Sequence, residues 1–109
     1  NQHFVLKHDP VTPWEFKQQM KLNDYAHSLK LFIRHNAADG RQKPVPGAGS
    51  SIFFHIWRRD GGAPTAGCTA MSEENLRAMI AWLDPSRHPL YILRPAREYL
   101  RLRRAWGLP

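Results

Sequence analysis

One hundred and nine residues suit one domain with a single hydrophobic core and little to spare. A composition of 42% hydrophobic and 23% charged residues is that of a globular chain and excludes wholesale disorder, and no apolar run approaches the roughly 18 residues that a membrane span needs. The formal net charge of +7 points to an anionic partner, while a single cysteine excludes an internal disulfide and every Cys-x-x-Cys zinc or redox motif.

In chain order, His3 to Lys7 predicts a short strand. Thr12-Pro13-Trp14-Glu15 is a capping box with proline at the first helical position, and predicts a helix running to Lys21. From Tyr25 to His35, Leu29, Leu31 and Ile33 alternate with Lys30, Phe32 and Arg34, the period of a half-buried strand. Asn36 to Ser50 is rich in Gly, Pro and Ala, contains Asp39-Gly40, and reads as turn and loop within the domain. A second strand, Ser51 to Trp57, turns Ile52, Phe54 and Ile56 toward the core and Phe53, His55 and Trp57 the other way. Arg58-Arg59-Asp60-Gly61-Gly62 is a charged, flexible turn. Ser72-Glu73-Glu74-Asn75 opens a helix with Leu76, Met79, Ile80 and Leu83 on one face, and Asp84-Pro85 ends it at Leu83. Leu90 to Leu93 reads as a strand, and Pro95 opens a last helix with Tyr99, Leu102 and Trp106 on one side.

The chemistry concentrates at Thr65-Ala66-Gly67-Cys68-Thr69, thirteen positions after His55. A cysteine that attacks carbonyls needs a nearby base and an electropositive, partly exposed setting. Taken alone, a lone Cys and a lone His are more commonly a small buried residue and a packed strand residue. The helix opening at Ser72 would place the positive end of its dipole toward Cys68, and Gly67 would let backbone N–H groups approach an oxyanion. The histidines at 3, 8, 27, 35, 55 and 88 are scattered singly, without metal-ligand spacing, and most read as surface or packing residues.

The segments Pro46-Gly47-Ala48-Gly49-Ser50-Ser51-Ile52-Phe53-Phe54-His55 and Pro64-Thr65-Ala66-Gly67-Cys68-Thr69-Ala70-Met71-Ser72 resemble the catalytic core of YkuD-like L,D-transpeptidases, whose signature is a His, a spacer, then Ser/Thr-His-Gly-Cys. The resemblance extends over Leu29 to Leu93. Ala66 stands where the motif has its second His and Ala70 where Arg or Asn is usual, and the spacer is shorter, which marks a divergent branch. The resemblance implies a mainly β fold with flanking helices (α+β), the family's β-sandwich catalytic fold, with 1–109 as one catalytic domain. Because residue 1 is Asn and the family's first strands are not found, the chain is expected to be the C-terminal portion of a longer precursor. It further implies Cys68 as nucleophile, His55 as general base and acid, and Gly67 as an oxyanion-hole backbone, with Thr65 shaping the loop. Arg34, Arg58 or Arg59 would take over the carboxylate binding lost at Ala70, and His35 would enter the cleft. Peptidoglycan stem peptides are the implied partners, carbapenems the implied inhibitors, the bacterial periplasmic envelope the implied location, and no cofactor or metal is required.

Arg94, Arg97, Arg101, Arg103 and Arg104 raise the alternative of a noncatalytic basic module binding nucleic acid or an anionic envelope surface. No ribonucleoprotein motif, phosphate loop or zinc pattern accompanies them, so no nucleic acid is expected and a solvated basic face is the simpler reading.

Overall fold

The computed structural model describes residues 8–20, 23–38 and 43–109. The expected strand at His3–Lys7, Lys21 and the Asp39-Gly40 turn lie outside them. The first helix, α1 (Pro13–Gln18), forms as its capping box dictates. Thr12 Oγ1 accepts from Glu15 N–H at 3.2 Å, and Glu15 Oε2 accepts from the backbone of Thr12 at 2.8 Å and of Val11 at 2.9 Å. Those backbone donors hold the Glu15 carboxyl below its ordinary range. The helix stops at Gln18, short of the expected Lys21, where the next residue turns extended.

Three strands form one sheet in the order β1 (Lys30–Ile33), β2 (Ile52–Ile56), β3 (Thr69–Met71). β1 runs antiparallel to β2 with Lys30 opposite His55 and Phe32 opposite Phe53. β3 runs parallel to β2 with Thr69 beside Phe54, Ala70 beside His55 and Met71 beside Ile56. Helix α2 (Glu73–Trp82), capped by Ser72 Oγ accepting from Asn75 N–H at 3.2 Å, returns across one face. There Phe54, Ile56 and Leu76 make the buried core, flanked by Leu29, Leu31, Ile33, Met71, Met79 and Ile80. Ile56 and Leu76 are 1% and 0% exposed, and burial of that kind stabilises by about 1.5–3 kcal/mol per side chain. The architecture is α+β, a sheet with flanking helices.

Two predicted strands are corrected. The first begins at Lys30, not Tyr25, because Asp24 caps a 3-10 turn over Tyr25–His27: its Oδ1 accepts from His27 N–H at 3.1 Å, a local bond that competes with extended backbone. The stretch Leu90–Leu93 forms no strand. Pro89 and Pro95 bracket it, each without a backbone donor, and Leu90 and Leu93 stay exposed. β3 escaped prediction, since Thr-Ala-Met is too short to show a period. The last helix, α3 (Ala96–Leu102), begins after Pro95 as expected.

Candidate active site

β2 carries His55 on the face opposite Phe54 and Ile56, as strand alternation requires. That face is covered too: Phe53 and His55 are each 5% exposed, Phe53 lies against Phe32 at 5.4 Å between ring centroids, and the Tyr25–His27 turn packs over the strand. His55 Nδ1 lies 2.7 Å from the carbonyl oxygen of Ile56. A carbonyl only accepts, so Nδ1 carries the proton and the neutral ring keeps its lone pair at Nε2. Nε2 makes no hydrogen bond among the described residues, and the ring as a whole is buried.

Cys68 sits immediately before β3, two residues before Ala70. Since Ala70 is the register partner of His55, and side chains two apart share a face, the sheet sets Cys68 and His55 on one face a register step apart. Cys68 Sγ donates weakly to the carbonyl of Ser51 at 3.9 Å. The loop that delivers Ser51 is tied down by two residues at the end of β1: Asn36 Nδ2 donates to Val45 and Gly49 carbonyls at 2.9 and 2.6 Å, Asn36 Oδ1 accepts from Val45 N–H at 2.7 Å, and His35 Nε2 donates to Ala48 O at 2.8 Å. On the other side, Thr65 Oγ1 donates to the Cys68 carbonyl at 2.6 Å and accepts a long bond of 3.3 Å from Gly67 N–H, so the threonine shapes the loop that carries Cys68. Gly67 has φ +131°, a conformation that side chains rarely adopt, although a Cβ there would meet Ile52 only at an ordinary 3.6 Å.

Compared with known families, residues 3–92 match YkuD, the L,D-transpeptidase catalytic domain. The chain belongs to this family. No curated protein and no solved structure matches it. The YkuD family is one of L,D-transpeptidases acting on peptidoglycan stem peptides.

Several residues expected around the YkuD dyad serve other purposes here. His35 holds the loop before β2 through Ala48 and is exposed, so its ring is committed to that loop. Arg58 gives its guanidinium to Asp24 Oδ2 at 2.6 Å, a protein carboxylate in place of a substrate's. Arg59 lies in the exposed Arg59–Gly61 turn, where it and Asp60 both have positive φ, and Arg34 follows β1 on the exposed surface. The helix dipole is also displaced. β3 intervenes between Cys68 and the Ser72 cap, and four residues of extended chain put them roughly 13 Å apart, beyond the reach of a first-turn dipole.

What the sequence reading missed lies on β1 and the turn before it. Lys30, opposite His55, points its ammonium over the Phe53 ring at 5.5 Å and donates to the Met20 carbonyl. Burial pushes its ammonium below the usual lysine range, against the pull of Asp24. His27 stacks on His55 with ring centroids 4.8 Å apart and planes 25° from parallel. Its Nδ1 lies 2.6 Å from Asp24 Oδ1. Asp24, hydrogen-bonded first to Arg58 and then to His27, is held at about 2. The available signal was an Asp three residues before a His, the spacing of a side-chain cap.

Proposed function

We propose that this YkuD domain is a cysteine-dependent L,D-transpeptidase of the bacterial cell envelope. The observation that carries the reading is the His55 Nδ1–H bond to the Ile56 carbonyl, which leaves Nε2 as the acceptor on the sheet face that Cys68 shares. In this mechanism Nε2 takes the Sγ proton, and the thiolate attacks the carbonyl of the L-configured centre at the third stem position. The N–H groups of Gly67 and Cys68 receive the oxyanion, Gly67 exchanging its long bond to Thr65 for a charged acceptor. Collapse of the tetrahedral intermediate breaks the amide, His55 returns the proton to the departing D-amino acid, and Cys68 is left as a thioester. An amine of a second stem then forms the cross-link and frees the thiol; water in its place yields a trimmed stem. Lys30 supplies the nearby positive charge that the distant helix terminus does not.

The test is mass spectrometry of purified tetrapeptide muropeptides incubated with the protein. Wild type should produce cross-linked or shortened stems, Cys68→Ala none, and His55→Ala should be slower by about 10²–10⁴-fold. A carbapenem should add its mass to Cys68 and to no other residue. Unchanged muropeptides with folded wild-type protein would sink the proposal.

A further inference from the structure

We infer that His27 and Asp24 are positioning residues for the base, a step that rests on the proposed role of His55. The in-plane bond from Nδ1 to the Ile56 carbonyl sets which nitrogen carries the proton, but one bond leaves the imidazole free to rock about its own Cβ–Cγ axis. The neighbouring ring removes that freedom. His27 lies nearly parallel to His55 at 4.8 Å and 25°, with only 10% of its side chain exposed, so the face of one ring limits the plane of the other.

His27 is itself anchored at two points by one oxygen. Asp24 Oδ1 accepts from its backbone N–H at 3.1 Å and from its Nδ1–H at 2.6 Å, while Asp24 Oδ2 accepts from Arg58 at 2.6 Å. Arg58 also stands 3.5 Å from His27 Nδ1, but that nitrogen's proton is already given to the carboxylate, so the guanidinium acts through Asp24. The result is a relay of fixed positions, Arg58 to Asp24 to His27 to the face of His55. It also has an electrostatic consequence during turnover. When Nε2 takes the thiol proton, the imidazolium that forms faces an aromatic ring whose own N–H is directed at a carboxylate, an environment that favours the cation over an aliphatic neighbour. Among the described residues neither His27 nor Asp24 is hydrogen-bonded to the Cys68 sulfur, so both are assigned an action through His55.

The decisive comparison is between His27→Phe and His27→Leu in the full chain. Both fill the site with an apolar side chain and forfeit the Asp24 bond, but only Phe keeps a flat face against His55. Two measurements are made on folded protein: the imidazole 15N spectrum, which reads the His55 tautomer, and the rate of Cys68 alkylation by iodoacetamide at neutral pH. His27→Phe should keep the Nδ1–H tautomer and a rate within about threefold of wild type, and His27→Leu should mix the tautomers and slow alkylation on the order of tenfold. Asp24→Asn, which preserves the backbone cap, gives an independent arm with a smaller slowing. A purely structural His27 predicts equal rates and an unchanged tautomer in the Phe and Leu variants, and that result, obtained while His55→Ala is slow, would overturn the positioning role and leave the dyad standing. If instead wild type and His55→Ala alkylate equally slowly, the dyad itself is wrong and this inference falls with it.

Discussion

Ile52–Ile56 and Leu90–Leu93 are apolar runs of similar length with opposite fates. Phe53 through Ile56 are buried at 5, 6, 5 and 1% exposure, whereas Leu90, Tyr91, Ile92 and Leu93 remain 90, 37, 39 and 68% exposed. Hydrophobicity does not separate them. β2 finds a hydrogen-bonding neighbour on each edge and α2 over one face; the later run has prolines at both ends and reaches the sheet through Tyr91, whose ring meets Phe54 at 4.6 Å and whose hydroxyl is 2.5 Å from Thr69 Oγ1. An apolar run becomes a central strand when its backbone groups can all be paired, and His55, the proposed base, belongs to the run that meets this condition.

The sharpest way to break the contrast is to empty the layer under β2. Leu76→Ala should lower unfolding free energy by about 2–5 kcal/mol in urea titration, because a fully buried side chain leaves a cavity. A loss under 1 kcal/mol would mean that α2 is not what holds β2. Next comes Tyr91, which ties the later run to Phe54 and Thr69. Tyr91→Ala removes an edge-on aromatic contact and a hydroxyl bond, and should cost about 1–2 kcal/mol by the same measurement. Parity with Leu76→Ala would erase the distinction between the regions. The smallest effect belongs to Leu90→Ser, within about 0.5 kcal/mol of wild type; a larger loss would show that the exposed run is packed in solution.

The legible parts of the molecule are those whose meaning is local. Ser72 and the spacing of Leu76, Met79 and Ile80 predict α2 nearly to the residue, and the alternation of Ile52, Phe54 and Ile56 turns His55 away from the core. Thr65 reads correctly as a loop residue because its hydroxyl acts within three positions. His27 and Lys30 were opaque for the opposite reason. His27 lies 28 positions from His55 in the chain, and its importance exists only once antiparallel register sets Lys30 opposite that histidine and the capped turn folds back over the strand. The Arg58 ion pair was opaque in the same way, since its carboxylate partner, Asp24, lies far off in the chain.

The parallel pairing of β2 and β3 puts a floor under the distance between His55 and Cys68 along the chain. Antiparallel neighbours can be joined by two residues, but parallel ones need a crossover of about a dozen, and here residues 57–68 supply that span with one tight turn and no helix. The connection is already near its shortest. His55 is located by its ladder position and Cys68 by its place just before β3, so extra residues at the Arg59–Gly61 turn can bulge into solvent at small entropic cost while both stay in place. Deletions have no such latitude. The spacer is therefore open to growth and closed to contraction.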